Sequence, residues 1–527
     1  MMHIILQFAM DGRSIAADVP VARRAWAGLA VVAAAAFVVS LDTMVLYVAF
    51  GDIRRDFPDV TAASLSWILS GYTIVIAAGM IGAGRWADRL GRRRIFLVGM
   101  ALFTVASAIC AAAPGVGLLV AGRVLQGVGA AALTPASLAL ILQAFPKSRV
   151  PQAIALWGAA GALAAALGPT IGGVFVEAWG WRSVFVVNVP IGIVTAILGP
   201  RLLDESCEAK GSRLPDLVGT AAVTIAVVLV ALGIVQSDEW GWRDLRTVGA
   251  LAGGLVLVGA FVARCATVPN PVLALELFSE RGFRWANLAQ LLYGTGFTIM
   301  FFGNVQFLGD VWGYSPVRTG LAMAPGPLVV FLLAPRFGKL AGRIGHRAIL
   351  IPGGLVYAAA AVMLLSRAGA APDYLGVWLP AVLWSGVGVA MIVPLLTSAA
   401  VAGLPSDRFA TGSAVNAALR NIGQTLGVSI FVAFVGGAAR ADLLAHHRLA
   451  WWLVAAAGIA VTATSWWLPT SAEWVVRSRA AVRHPIPNLD HEGGHEPCLA
   501  FSPALPTVSA ARRAFEPPSR PSASSMP

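Results

Sequence analysis

Long apolar runs alternate with short polar breaks along most of the chain. The runs lie near residues 26–50, 65–85, 95–113, 117–144, 151–176, 183–202, 216–236, 246–265, 284–308, 318–336, 348–366, 374–402, 409–436 and 450–469. Each approaches or exceeds the roughly 20 residues that carry a helix through a bilayer's hydrocarbon core. In that core a backbone must satisfy its own polar groups, so a run of this length predicts a helix. The pattern predicts an all-α integral membrane protein with 14 transmembrane helices. Residues 1–25 form a polar N-terminal segment. Residues 470–527, rich in Pro, Ser, Ala and Arg, are expected to be a disordered tail. No small-residue cleavage site follows a short apolar core, so a removed signal peptide is not expected.

Composition agrees. Hydrophobic residues make up 58% of the 527 and charged residues only 12%, where a soluble domain carries about 25%. The net charge of +12 does not point to nucleic acid. The basic residues are scattered through short breaks and not gathered on one polar domain. Their distribution sets orientation. With residues 1–25 in the cytoplasm, the outer breaks hold only Arg54, Arg55, Arg182, Arg243, Arg246, Arg318, Arg367, Arg440 and Arg448. The larger share falls inside, including Arg85, Arg89 and Arg92–Arg94. Both termini are therefore expected in the cytoplasm. The isolated cysteines, Cys110, Cys207, Cys265 and Cys498, suit neither a metal site nor a disulfide framework.

One segment occurs twice. Gly84-Arg85-Trp86-Ala87-Asp88-Arg89-Leu90-Gly91-Arg92-Arg93 follows the second run, and Gly338-Lys339-Leu340-Ala341-Gly342-Arg343-Ile344-Gly345-His346-Arg347 follows the tenth. Such duplication is a transporter signature. Eight runs separate the copies, so the seventh and eighth read as an insertion. The expected organisation is a first half over 26–202, two inserted helices over 216–265 and a second half over 284–469.

Asp42 is the only acid deep inside an apolar run. A carboxylate there costs about 2.5–3.5 kcal/mol on insertion scales, and such acids are functional by default. Arg123 lies about seven residues, or ~10 Å, from the outer end of its run, and Asp42 about eight residues, or ~12 Å, from the outer end of its own. Opposite charges at matched depth offset each other's desolvation. Arg420 is the other deep charge, and its half offers no deep acid. Backbone carbonyls, Asp42 across a cavity, or an acidic group of a substrate are open as its partner.

Several motifs resemble those of the major facilitator superfamily, in particular its fourteen-span drug:proton antiporters. They are Leu41-Asp42-Thr43 with Val48-Ala49, the Gly84–Arg93 loop, Gly122-Arg123-Val124-Leu125-Gln126-Gly127-Val128-Gly129, Gly168-Pro169-Thr170-Ile171-Gly172-Gly173, and Trp179–Phe185 with Asn188-Val189-Pro190-Ile191-Gly192. The resemblance covers about residues 26–470. It implies the major facilitator fold, and that the spans of Asp42 and Arg123 are neighbours lining the cavity. Asp42 would then take up a proton outside and release it inside, with Arg123 favouring the ionised form. It implies a latch at Gly84, Asp88, Arg89, Gly91 and Arg92, with Gly84 and Gly91 permitting a tight turn and Asp88 pairing on the opposite half. Gly342 stands where Asp88 stands in the first copy, so the latch would be asymmetric. Gly168, Pro169, Gly172 and Gly173 correspond to the antiporter motif, expected to break or bend the fifth span and allow close helix contact.

Helix position makes Trp157, Gln290, Tyr293, Phe297, Gln306, Asn416 and Arg420 the candidate wall of a substrate cavity. The expected activity is proton-driven export of hydrophobic or amphipathic small molecules from a cell's inner membrane. The expected partners are substrate, protons and lipid, with a monomeric transporter, no cofactor and no metal. A nutrient importer on the same fold is the alternative. A membrane enzyme would need clustered His, Asp or Cys near the interface, which the chain lacks. His491-Glu492-Gly493-Gly494-His495 matches a zinc-protease pattern, but its two glycines and flanking prolines argue against the helix that chemistry needs. ATP is excluded as the driver: only Lys339 follows a glycine, and Leu340 comes next where a phosphate-binding loop needs Ser or Thr.

Overall fold

The computed structural model describes residues 22–470 except 147–148, 207–215, 270, 405–407, 438 and 440. The first 21 residues and residues 471–527, with the expected tail and the His491–His495 pattern, lie outside the described residues, as do Cys207 and Cys498.

Among the described residues, 14 helices are long and apolar enough to cross a membrane. They are α1 (Arg23–Asp56), α2 (Ala62–Leu90), α3 (Arg92–Ala112), α4 (Val116–Ala144), α5 (Val150–Trp179), α6 (Ser183–Leu202), α7 (Leu217–Val235), α8 (Leu245–Thr267), α9 (Arg281–Asp310), α10 (Pro316–Ile344), α11 (Arg347–Arg367), α12 (Tyr374–Ala402), α13 (Phe409–Val435) and α14 (Leu443–Trp466). Each matches one expected run. Several begin at side-chain caps: Thr61 accepts from the Ser64 N–H, Asp216 from Gly219 and Asp373 from Gly376.

Three local expectations need correction. α1 does not stop near Phe50 but continues to Asp56. Its polar end reads as a loop, yet Ile53 is fully buried there and the terminal Arg54 and Arg55 suit the negative end of a helix dipole. Asp42 therefore sits 14 residues (42 to 56), or about 21 Å, from that end, deeper than expected. Second, the turn after α2 needs one glycine, not two. Gly84 lies within α2, whereas Gly91, at φ +111°, ends it. Third, Pro169 does not break α5, which continues through it to Trp179.

The duplication is visible in three dimensions. Gly345 holds the equivalent position in the second copy, also at positive φ (+91°), and ends α10 as Gly91 ends α2. Helix packing repeats as well. In the first half α1 packs on α5, α2 on α4, and α3 on both α4 and α6. In the second half α9 packs on α13, α10 on α12, and α11 on both α12 and α14. Every pair is displaced by eight helices. Two symmetric seams join the halves, α2 against α13 and α5 against α10. The inserted α7 packs on α8 and covers the α2–α13 seam.

Candidate functional site

Asp42 and Arg123 meet inside the first half. An Arg123 Nη atom donates to Asp42 Oδ2 at 2.6 Å, and each side chain is only 1% exposed. α1 therefore overshoots the start of α4 by about two turns. The charges still pair, because α4 enters only seven residues (116 to 123) before Arg123.

Neutral donors complete the site. Gln126 Nε2 and Asn188 Nδ2 both donate to Asp42 Oδ1, at 2.9 and 2.8 Å. Every one of these partners donates, which suits an ionised carboxylate. Arg123 is held independently of Asp42. Its Nε donates to the Ile68 carbonyl at 3.0 Å, a second contact reaches Gln126 Oε1 at 2.5 Å, and its guanidinium lies 3.9 Å from the centre of the Tyr72 ring. Ser107 Oγ accepts from Gln126 and Asn188. Helices α1, α2, α3, α4 and α6 thus converge on one buried polar knot. Gln126 and Asn188 stand within the motifs, which alone assign them no role. The three-residue step from Arg123 to Gln126, one helical turn, was the available signal for the first. Asn188, 146 positions from Asp42, offered none.

The Gly168–Gly173 motif lies beside this knot. A methyl on Gly168 would come 2.5 Å from Met44 Cβ, and one on Gly172 would come 2.8 Å from Val45 Cγ1, so α5 lies almost backbone to backbone against α1. Gly173 faces the other half. A methyl there would come 2.8 Å from the Pro316 carbonyl carbon, and one on Gly320 would come 2.7 Å from that of Pro169. Glu177 Oε2 also accepts from the Val317 N–H at the start of α10. These contacts, and the 2.6 Å ion pair Arg54–Asp310 between α1 and α9, close the face on which α1 ends.

At the opposite face, Asp88 and Arg92, two of the expected latch residues, pair with each other. Asp88 Oδ1 accepts from Arg92 Nε and Nη at 3.0 and 2.9 Å, across the Gly91 turn and within one loop. Glu205, just beyond α6, caps α3 by accepting from the Arg93 and Arg94 N–H groups. Arg85 reaches the Pro271 carbonyl, between α8 and α9. Arg89 is exposed at the end of α2.

The candidate cavity residues do not form one cluster. Gln290, Tyr293, Phe297 and Gln306 lie on α9, and Gln306 sits 13 residues (293 to 306), or about 20 Å, beyond Tyr293. Asn416 is 1% exposed and donates to Asn287 Oδ1 at 3.1 Å, so it ties α13 to α9. Trp157 packs half-buried against the first half's core. Tyr293 and Arg420 do come together, at the crossing of α9 and α13, with Gln290 three residues before Tyr293 on α9. No group of His, Cys, Asp and Glu among the described residues is placed to hold a metal.

The sequence profile of the Major Facilitator Superfamily matches residues 32–428. The chain belongs to the Major Facilitator Superfamily. It is a transporter and not an enzyme, and it sits in a membrane as a multi-pass protein. It is 32% identical to multidrug resistance protein Stp of Mycobacterium tuberculosis over 418 residues, 78% of this chain and 76% of that protein. It is 32% identical to a probable actinorhodin transporter of Streptomyces coelicolor over 508 residues, 93% of this chain and 86% of that one. Cephamycin export protein CmcT of Amycolatopsis lactamdurans is 34% identical over 420 residues, 78% and 86% of the two chains. Among solved structures, a peptide transporter POT in complex with sulfate superposes with a TM-score of 0.59 at 17% identity, covering 83% of this chain and 94% of that one. At that identity the likeness speaks for the fold alone.

Proposed function

We propose that this transporter exports hydrophobic or amphipathic small molecules, drugs or antibiotics, in exchange for protons. It does so by alternating access across the cytoplasmic membrane, with both termini inside. The relatives named for multidrug resistance, actinorhodin transport and cephamycin export support export as the direction. One chain carries both halves, so a monomer suffices.

The observation that carries proton coupling is the Asp42–Arg123 pair. Asp42 is the only carboxylate buried within a span among the described residues. A proton arriving at Asp42 removes the charge that Arg123 pairs with. Arg123 keeps its Ile68, Gln126 and Tyr72 contacts, so the knot survives with one ion fewer. Gly168 and Gly172 put the neighbouring Met44 and Val45 against α5, which meets the second half through Gly173. A change at Asp42 is thereby two helix contacts from the α5–α10 seam.

With α1 ending outside, the structure is closed to the exterior. The Gly84–Arg92 loop lies at the cytoplasmic face. Asp88 and Arg92, paired with each other here, would exchange that pairing for the opposite half when the cytoplasmic face closes.

The test is transport by purified protein in proteoliposomes under an imposed pH gradient. The native protein should move an amphipathic dye against its gradient and stop on addition of a protonophore. Asp42→Asn should insert and bind dye but fail to couple. Gradient-driven export by that variant at the native rate would refute the coupling role.

A further inference from the structure

The crossing of α9 and α13 holds buried polarity that the proton site does not use. Arg420 lies nine residues (411 to 420) into the apolar stretch of α13, and its side chain makes no hydrogen bond or ion pair among the described residues. Asp42 is taken up by Arg123, Gln126 and Asn188, and no carbonyl receives the guanidinium. Two of the three partners left open by the sequence are therefore not in use. Close by on α9, Gln290 is fully buried with neither amide atom partnered, and the Tyr293 hydroxyl is buried and unpartnered. Gln290 and Tyr293 share one edge of α9 at a spacing of three. Native structures leave few such groups unsatisfied.

Geometry brings this stretch of α9 against Arg420. A methyl on Gly294 would come 2.7 Å from the Arg420 carbonyl oxygen, so the helices touch at this level. Arg420 and the Tyr293 hydroxyl are within electrostatic reach of each other. At 100° per residue, Arg420 lies between the side of α13 that packs on α9 (Asn416, Gly423, Gly427) and the side that packs on α2 (Asn421, Thr425). Ala417, on the same strip, packs against the first half's core. The strip therefore faces the seam between the halves and not lipid.

An aromatic row leads away from this point. Tyr293 and Phe297 lie 5.7 Å apart, Phe297 and Phe301 stack at 5.7 Å, and Phe301 meets Tyr47 of α1 at 5.9 Å.

We infer that Arg420, with Gln290 and Tyr293, receives an acidic group of the substrate, a carboxylate or its equivalent, while the aromatic row receives an apolar body. The substrates are then amphipathic anions. Arg420 supplies paired N–H donors suited to a carboxylate, and the Gln290 amide and Tyr293 hydroxyl supply neutral ones. This inference rests on the export reading, of which it names the substrate class.

Binding of pyrenebutyrate and of its methyl ester to detergent-purified protein tests it without requiring transport. The native protein should prefer the acid by about tenfold, or ~1.4 kcal/mol. Arg420→Gln should bind acid and ester alike, with ester affinity unchanged. Arg420→Lys should retain part of the preference, since it keeps the charge and loses the fork. Equal binding of acid and ester by the native protein would overturn the inference. So would an undiminished preference in Arg420→Gln, or loss of both ligands in parallel. A preserved acid preference in protein that exports nothing under a pH gradient would instead sink the export reading and leave this site standing.

Discussion

Arg123 and Asp42 form an ion pair at 2.6 Å that solvent does not reach, yet Arg123 would keep its position without it. Removing one partner of a buried pair leaves the other uncompensated, at a cost of about 3–5 kcal/mol. Both single variants strand a partner, but Arg123→Gln also removes the contacts to the Ile68 carbonyl and the Tyr72 face, so it should lower the thermal stability of purified protein more than Asp42→Asn does. In the latter, Arg123 retains the Ile68 carbonyl, Gln126 and the Tyr72 face. The double variant should be more stable than Arg123→Gln alone, since no buried charge is then left unpaired. Arg123→Lys should behave poorly too, because one ammonium cannot donate to Asp42 and Ile68 while lying flat on a ring. Equal melting temperatures for Arg123→Gln and Asp42→Asn would contradict this account.

The Arg54–Asp310 pair ties α1 to α9 at the closed face, with both side chains partly exposed at 38% and 21%. Such pairs contribute about 0.2–1 kcal/mol, so Asp310→Asn should shift the opening equilibrium by at most about fivefold. Reaction of a cysteine at Phe50 with an impermeant maleimide reads that opening. The rate should rise in Asp310→Asn and return in the charge-swapped double variant Arg54→Asp with Asp310→Arg. A rate that rises further in the swap would mean that the pair is incidental to closure.

The inserted hairpin carries its own ion pair at the Leu90 face. Hydrogen bonds from Arg264 hold the Asp216 carboxyl below the usual carboxylate range, and the Gly219 N–H adds to that against the opposing effect of burial. A lowered folded-state value means that the carboxylate stabilises the fold above the unfolded value, about pH 3.9. That stability is lost as pH falls through the lower folded value. Asp216→Asn keeps a good cap and loses the charge, whereas Asp216→Ala loses both, including about 0.5–2 kcal/mol of capping. At pH 7 stability should rank native, then Asn, then Ala. In acid the native–Asn gap should close while the Asn–Ala gap persists. Thermal unfolding across that pH range checks the order.

The fold was legible because oil permits few solutions. A run of about 20 apolar residues has little choice but a helix, and one basic segment recurring eight runs later betrayed the duplication. Asp42 and Arg123 were legible as partners for a related reason: deep charges are so few that pairing them is a small puzzle. What the sequence concealed was neutral. Gln126, Asn188 and Ser107 complete the carboxylate's shell, but uncharged polar side chains are common in membrane helices and carry no depth signal. Gly84 and Gly91 also look alike in a string, although one is helical and the other sits at φ +111°. Helix ends were blurred wherever polar residues continue a helix beyond its apolar stretch, as at Arg54 in α1 and His446 in α14.

Gly173 and Gly320 are where α5 and α10 touch through bare backbone. A methyl on either would run into the backbone of Pro316 or Pro169, and no side chain can swing aside to relieve it. Overpacking of this kind costs about 1–3 kcal/mol. Neither glycine has a positive φ, so the cost falls on the seam and not on the helix itself. It should appear only when this face is closed, because the clash lies between the halves. Gly173→Ala and Gly320→Ala should therefore fold, insert and bind substrate. Their opening equilibrium should shift toward the open form by about 5- to 150-fold. The Phe50 cysteine would then label quickly, and export would slow because the return to the closed form is hindered. Gly158, where an added methyl meets nothing within 4 Å, is the control. If Gly158→Ala slows export as much as Gly320→Ala does, the α5–α10 contact is not what governs closure.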